Sequence, residues 1–221
     1  VIYKKNLDFY LCGARGQVMG VAYAHFLAPG ILMMSVMQNA FANTASSLVI
    51  SKVQGNIVDT LMPPLSPLEL VIGYTVGGML RGYAVAFAVI LVTFPFLKLG
   101  IAHPLWAFLF LSLGSALLSL IGLLAGIVSD RFDQMNAITN FIITPLSFLS
   151  GTFYSIDILP ATMQTITHFN PVFYLIDGMR YGVIGVSDRS PVLGAAVCGG
   201  LCLVLAFWGW RWFSTGYRLK S

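Results

Sequence analysis

Residues 105–128 read LWAFLFLSLGSALLSLIGLLAGIV, a run without a single charged side chain. About 20 apolar residues in a helix cross the roughly 30 Å hydrocarbon core of a bilayer, so this run predicts a transmembrane helix. The whole chain has the same character: 57% of its 221 residues are hydrophobic, 9% are charged, and the mean hydropathy is +0.84. Soluble domains carry about 25% charged residues. The predicted fold class is therefore an all-α integral membrane protein, built as a polytopic helix bundle.

Four further stretches are candidates for spans. Residues 23–50, 70–97 and 191–213 are long enough and apolar enough to cross the membrane. Residues 136–150 are shorter and contain Pro145, which predicts a helix that kinks or stops early. Such a break is tolerated only where protein shields the freed backbone groups. The chain is thus predicted to cross the bilayer five times.

The connections between these spans carry most of the charge. Residues 51–69 place apolar side chains at helical spacing, which predicts a short amphipathic helix on the membrane surface. Residues 98–104 and 129–135 are predicted to form tight turns. Residues 151–190 mix aromatics, prolines and isolated charges, which suits short helices that enter one leaflet while covered by protein.

Orientation follows from the Lys and Arg residues in the loops, which are enriched on the cytoplasmic side. The side of the C-terminal tail holds five such residues, and the opposite side holds three if the leading segment is left out. This count predicts a cytoplasmic C-terminus. With Lys4, Lys5 and Arg15 added to the opposite side, the count becomes five against six and the rule fails. The leading segment is therefore the anomalous part of the sequence.

Arg81 lies near the middle of a predicted span, where a charge costs roughly 2.5–3.5 kcal/mol on insertion scales. It must face protein, water or a partner charge. Two interpretations stay open: a position on a substrate path or subunit interface, or a structural anchor bonded to carbonyls or an acid elsewhere in the bundle.

The first span also carries an unusual number of polar residues, predicted to face the bundle interior. Both a transport path and plain interhelical hydrogen bonding would use such a face. These residues are Gln38, Asn39, Asn43, Thr44, Ser46 and Ser47.

Three pairs of glycines spaced four apart allow close helix approach in lipid, and packing inside the bundle is favoured over a dimer interface. The pairs are Gly73 with Gly77, Gly78 with Gly82, and Gly122 with Gly126.

No pattern in the sequence predicts catalysis. There is no phosphate-binding GxxxxGK[ST] loop, no HExxH, no GxSxG elbow, and no Cys or His spacing typical of a metal site. The net charge of +4 is scattered over loops, which does not indicate nucleic-acid binding. Asp177 and Arg180 are three residues apart and are predicted to form a local salt bridge.

One motif carries a family resemblance: residues 168–182, HFNPVFYLIDGMRYG. Together with residues 145–155 (PLSFLSGTFYS), 28–35 (APGILMMS) and the 56–67 loop, it resembles ABC-2 type transporter permeases. The bacterial branch with nodulation-factor, polysaccharide and drug export permeases is the most similar. The signature residues are Asn170, Pro171, Tyr174, Gly178, Arg180 and Tyr181.

The resemblance implies a permease that has six spans with both termini cytoplasmic, in the lipid of the bacterial inner membrane. It would act as a homodimer with two copies of a separate ABC ATPase, which binds the ATP and Mg, so this chain needs no cofactor. Residues 151–190 would be an external re-entrant helix pair, and residues 51–69 a coupling helix that docks into the ATPase. The coupling residues implied are Lys52, Gln54, Asn56, Asp59 and Pro64, and the path or interface residues are Gln38, Asn39, Asn43 and Arg81.

The chain departs from that family pattern at its start. The N-terminal helix and first span of the family are not in the sequence, so residues 1–22 are expected to be an external loop or an anomalous N-terminus, within one domain covering residues 1–221. The alternative function is a secondary transporter or channel-like protein that works without ATP. No residue identifies the cargo.

Overall fold

The computed structural model describes residues 17–18, 21–55, 65–154, 164–165, 167 and 169–217. A short antiparallel pair of strands, β1 (Gln17–Val18) and β2 (Val21–Ala22), precedes the first helix. The helices are α1 (Tyr23–Val53), α2 (Pro67–Leu97), α3 (Pro104–Val128), α4 (Phe132–Ile138), α5 (Thr144–Phe148), α6 (Pro171–Ile184) and α7 (Pro191–Thr215), with a π-helical turn at Thr139–Ile143. Apart from the strand pair, the described residues confirm the predicted all-α class.

α2 begins where the sequence supplies a complete N-terminal cap. The Ser66 hydroxyl accepts a hydrogen bond from the Glu69 amide at 3.3 Å, and the Glu69 carboxylate accepts one from the Ser66 amide at 2.6 Å. Pro67 takes the first helical position, where an amide hydrogen has no partner in the helix. α2 therefore starts inside the predicted surface segment 51–69, and α1 extends into it from the other side as far as Val53.

The structure confirms one of the predicted turns and changes the other. Lys98 ends α2 in a left-handed conformation with φ of 51°, at the start of the predicted turn 98–104. The turn predicted at 129–135 is wrong in its second half, because α4 begins at Phe132 and leaves only residues 129–131 as a connection.

α1 is the central helix of the bundle and packs against α2, α3 and α6. Its side chains Phe26, Met33, Met37 and Phe41 have no exposed surface. A Cβ atom at Gly122 of α3 would lie 2.6 Å from the Phe41 carbonyl oxygen, closer than real Cβ atoms approach. The backbones of α1 and α3 are therefore in direct contact, which only glycine permits.

The glycine pairs do not all serve this internal packing. The inward-facing pairs, as predicted, are Gly78 with Gly82 and Gly122 with Gly126. At Gly73 and Gly77, by contrast, no atom lies within 4 Å of the position that a Cβ would take. Successive helical residues are rotated by about 100°, so the pair at 73 and 77 cannot face the same way as the pair at 78 and 82. The prediction of internal packing is wrong for the first pair.

Residues 132–148 form one irregular helical run. The π-helical turn Thr139–Ile143 lies immediately before the turn that contains Pro145. Proline has no amide hydrogen and its ring crowds the preceding turn, and a wider turn accommodates both effects. The predicted break at Pro145 is confirmed as an irregularity, located one turn upstream of the proline.

Three helices in the described part of the chain are long and apolar enough to cross a membrane: α2, α3 and α7. α2 and α7 bury few of their apolar side chains, and Phe87 and Leu203 are exposed, which suits contact with lipid. α1 is equally long but carries the polar residues described below. That α1 and residues 136–150 are further spans stays a prediction.

Other predicted segments lie partly outside the described residues. Within 151–190 the structure describes the helix α6, whereas residues 155–163 lie outside the described residues, so the re-entrant pair stays a prediction. Most of the leading segment 1–22 and residues 56–64 of the predicted coupling helix are likewise outside.

Candidate functional site

α1 carries a line of polar residues at four-residue spacing that winds gradually around the helix: Ser35, Asn39, Asn43, Ser47 and Ser51, all half-buried. Each of three side chains donates to the backbone carbonyl four residues earlier: Asn39 to Ser35 at 2.9 Å, Ser47 to Asn43 at 2.8 Å, and Ser51 to Ser47 at 3.0 Å. These local bonds satisfy the donors without a partner helix. Gln38 is half-buried but lies off this line, and Thr44 is buried with its hydroxyl bonded to the Ala40 carbonyl.

α2 faces this line with Gly73, Gly77 and Arg81, again four residues apart. Because the two glycines have no side chains, a groove of about 270 Å³ opens between the helices. Its lining residues are Asn43, Ser47, Leu65, Glu69, Leu70, Gly73, Tyr74 and Gly77. We call the groove together with Arg81 the polar seam. From Glu69 to Arg81 it follows α2 for about 18 Å, since a helix rises 1.5 Å per residue.

Arg81 lies at the end of the polar seam opposite Glu69, close to the midpoint of α2. Its Nη1 donates to the Asn43 side-chain oxygen at 3.3 Å, and the side chain is exposed. Among the described residues no carboxylate forms a salt bridge with it, so its partner is a neutral amide rather than the acid or backbone carbonyl that a structural anchor would use. The structure thus brings together two of the four predicted path residues, Arg81 and Asn43.

Lys52 is placed differently from the sequence prediction. Its ammonium group donates to the carbonyls of Ile127 and Ser129, the latter at 3.2 Å, and lies 3.7 Å from the Asp130 carboxylate. Its side chain is only 10% exposed. A lysine in this position satisfies the free carbonyls at the end of α3 and interacts favourably with the helix dipole. Lys52 therefore ties α1 to α3 in this structure, and its role as a docking residue stays a prediction.

The other predicted coupling residues are less constrained by the structure. Gln54 is exposed just beyond the end of α1. Asn56, Asp59 and Pro64 lie outside the described residues.

The first two signature residues set the start of α6. Asn170 is the N-cap: its side-chain oxygen accepts from the Val172 amide at 3.0 Å, and Pro171 fills the first helical position. The Asn170 amide group also donates to the Ser150 hydroxyl at 2.7 Å and to the Leu146 carbonyl at 3.1 Å. One side chain thus fixes where α6 begins and joins it to the end of α5.

Three more signature residues pack α6 against its neighbours. Gly178 accommodates the Phe110 ring, which would collide with any side chain there. Tyr181 stacks on His103 with ring centroids 4.8 Å apart. Tyr174 is half-buried, and a Cβ at Gly194 of α7 would lie 3.4 Å from its own Cβ.

Arg180 is the centre of a buried ionic cluster. Its Nη1 lies 3.8 Å from Asp177 and 3.6 Å from Asp188, which confirms the predicted local pair and adds a second acid. Its Nη2 donates to the Gly151 carbonyl at 2.9 Å, and its guanidinium carbon lies 3.8 Å from the centre of the Phe26 ring. Arg180 is 1% exposed, and its Nε is buried without a hydrogen-bond partner in the part of the chain that the structure describes.

Asp177 anchors the connection that follows α6. Its two carboxylate oxygens accept from the amides of Asp188 and Arg189, at 2.8 and 3.0 Å. Burial raises the pKa of Asp177 to about 6; the two amide bonds and Arg180 act against burial, while the nearby Asp188 charge adds to it. Both carboxylates of the cluster thus lie within 4 Å of the same Arg180 nitrogen.

Sequence reasoning missed the residues that complete this cluster. Phe26, Gly151 and Asp188 come from segments distant from the signature in sequence or beyond its end; Gly151 lies in the quoted motif 145–155, but that motif does not show that its carbonyl meets Arg180. It also missed His25, whose Nε2 lies 3.0 Å from the Leu97 carbonyl at the end of α2. The signal for Phe26 is indirect: it precedes the apolar motif 28–35 that carried part of the family resemblance.

Comparison with known proteins matches residues 9–184 to the ABC-2 type transporter family. The inner membrane transport permease YadH of Escherichia coli K12 is 36% identical over 214 residues, covering 96% of this chain and 83% of the relative. Nodulation protein J of Rhizobium leguminosarum bv. viciae is 27% identical over 213 residues, covering 93% and 78%. Nodulation protein J of Neorhizobium galegae is 24% identical over 208 residues, with the same coverage.

Proposed function

Because the chain belongs to the ABC-2 type transporter family, we propose that it is the membrane-spanning permease subunit of an ATP-binding-cassette exporter. Its apolar helices and the inner-membrane name of its relative make it a multi-pass protein of the bacterial inner membrane. ATP and Mg belong to a separate ATPase, and two copies of the permease, embedded in lipid, form the working unit. The C-terminus is on the cytoplasmic side.

The observation that carries this proposal is the polar seam. A lipid-facing helix gains nothing from an arginine at its midpoint, where the charge costs roughly 2.5–3.5 kcal/mol. Arg81 has a neutral partner at 3.3 Å and an open groove beside it, bordered by the polar line of α1. Water or cargo in this groove would solvate the guanidinium. The polar seam is therefore the proposed path. Gln38 and Asn39 lie on α1 one turn before Asn43, where the path would continue.

Cysteine accessibility tests the path. In a chain with Cys12, Cys198 and Cys202 replaced by alanine, Ser47→Cys and Gly77→Cys are expected to react with a charged, water-soluble thiosulfonate reagent. The physical reason is that thiolate chemistry requires water, which the polar seam admits and lipid does not. Labelling followed by mass spectrometry of the full chain in membrane vesicles gives the measurement.

Phe87→Cys is the matched control for that experiment. Phe87 is on the same helix and 69% exposed, but its neighbours are apolar, so its cysteine variant should stay unlabelled. Equal labelling at positions 77 and 87 would contradict the path. A disulfide linking two copies through Gly77→Cys, with no reagent access, would assign this face of α2 to the permease dimer instead.

Coupling to the ATPase is proposed to pass through the end of α1. The segment that follows α1 would contact the ATPase through Gln54, Asn56, Asp59 and Pro64, while Lys52 transmits the displacement to α3. Three contacts of Lys52, two of them with carbonyls and one with Asp130, support this transmitting role. When the ATPase closes on ATP, the end of α1 and the end of α3 would move together.

Partner capture tests this part of the proposal. The full chain with a C-terminal tag, purified from native membranes, is expected to bring down a soluble protein with a Walker A motif, identified by mass spectrometry. Asp59→Asn should reduce its recovery several-fold, since a docking helix loses a charge. Asp133→Asn is the control: this exposed acid is on the same proposed side of the membrane but outside the segment. A stable, inserted chain that captures no ATPase would refute the proposal and favour an ATP-independent carrier.

A further inference from the structure

The buried cluster around Arg180 connects four separate parts of the chain. Asp177 and Arg180 lie on α6, Asp188 on the connection to α7, the Gly151 carbonyl just after α5, and Phe26 on the first turn of α1. None of these contacts is part of the polar seam. Removing the guanidinium would remove the contacts of α6 with Gly151 and Phe26 that pass through Arg180, while the Asp177 carboxylate would still accept from the amides of Asp188 and Arg189.

An ionic cluster is an unusual choice if the only requirement is cohesion. Replacing buried ion pairs with apolar side chains of similar volume is often neutral or stabilising, because the charges lose their hydration. Ionic groups differ from apolar ones when a contact must separate and re-form, since water can solvate each charged partner in the separated state. Asp177 and Asp188 also share one nitrogen of Arg180, Nη1, at 3.8 and 3.6 Å, so neither forms a close two-point ion pair with it.

The helix that carries Phe26 has a weak point directly after it. Pro29 lies inside α1 and removes one backbone hydrogen bond, and Gly30 follows it. Gly30 packs against the segment beside the cluster: a Cβ there would lie 3.0 Å from the Thr152 carbonyl oxygen. The first turn of α1 can therefore move with α6 while the rest of α1 stays in the bundle.

We infer that Arg180 is a positioning residue of the transport cycle, the central contact of a latch that holds α6 against the start of α1 and separates when the external side opens. This inference rests on the proposed function, because an external exit exists only in a permease. The far end of α1 is tied to α3 by Lys52, so a displacement of the cytoplasmic end of α1 reaches the latch along one continuous helix with a bend at Pro29.

Accessibility of a buried reporter tests the latch. Thr152 has no exposed surface and lies next to Gly151. In intact cells making the full chain without its native cysteines, Thr152→Cys is expected to react slowly with a membrane-impermeant sulfonated maleimide. Adding Arg180→Gln should accelerate labelling at least about tenfold, which corresponds to roughly 1.4 kcal/mol removed from the closed state. Phe26→Leu, which keeps every ionic contact, should give a smaller acceleration.

Two controls separate opening from unfolding. A chain that retains only Cys198, buried in α7, should stay unlabelled in all variants, and Ser190→Cys, exposed after α6, should label in all of them. If Cys198 also reacts in the Arg180→Gln chain, that variant is unfolded and Phe26→Leu decides the question. Unchanged Thr152→Cys labelling in the folded variants overturns the latch.

Failure of the latch and failure of the proposed function give different results. Depleting cellular ATP should slow Thr152→Cys labelling in the chain with Arg180 intact, because opening follows the ATPase. If the latch variants accelerate labelling but ATP depletion changes nothing, the latch stands and the ATP-driven cycle fails. If Ser190→Cys labels only in permeabilised cells, the proposed orientation fails, and the same comparison of variants in those cells still tests the latch.

Discussion

Gly122→Ala is expected to destabilise the folded chain by about 1–3 kcal/mol, the usual cost of forcing extra atoms into a packed core. The added Cβ would lie 2.6 Å from the Phe41 carbonyl oxygen and 3.2 Å from the Phe41 Cα. These are backbone atoms, so no side chain can rotate away, and α1 and α3 must move apart. Thermal unfolding of the purified chain in detergent micelles, followed by size-exclusion chromatography, measures the loss.

Gly73→Ala provides the matched control. Both glycines belong to a pair spaced four apart within an apolar helix, but no atom lies within 4 Å of the Cβ position at Gly73. Alanine has a higher helix propensity than glycine by up to about 1 kcal/mol, so this variant should be as stable as the parent chain or slightly more stable. Equal losses at the two positions would show that the contact between α1 and α3 is not as tight as described.

Arg180→Gln is expected to cost about 3–5 kcal/mol of folding free energy, the usual effect of removing one partner from a buried ionic cluster. Asp177 and Asp188, only 4% and 5% exposed, would both lose the charge of Arg180. The same unfolding measurement in micelles applies. A folded domain with a stability of 5–15 kcal/mol, as is typical, would survive this loss.

A double-mutant comparison identifies the cause of that loss. Asp188→Asn in the Arg180→Gln background removes one of the two unbalanced charges, so the double variant should be more stable than the sum of the two single losses predicts. Strict additivity would mean that Arg180 and Asp188 do not interact energetically, so the loss would come from the other contacts of Arg180, with Asp177, Gly151 and Phe26. An Arg180→Gln chain within about 1 kcal/mol of the parent would contradict a buried cluster altogether.

The helices themselves could be predicted from the sequence, because each depends on residues that are close along the chain. Long apolar runs predicted α2, α3 and α7, and Ser66, Pro67 and Glu69 contain the whole cap of α2. The start of α6 could also be predicted from neighbouring residues, because the Asn170 side-chain oxygen accepts from the amide of Val172, two residues later. The ends of the predicted surface segment were wrong because apolar periodicity continues across both of its boundaries.

The membrane location and the family of this chain follow from composition and from one signature, and the sequence by itself determines both. What only the tertiary structure decided is the direction in which each helix faces. In lipid the outside of a helix is as apolar as its buried side, so periodicity does not distinguish them. For that reason the sequence could not tell that Gly73 faces a groove while Gly122 meets a backbone. Nor could it show that Lys52 turns inward, or that Phe26, Gly151 and Asp188 meet at Arg180.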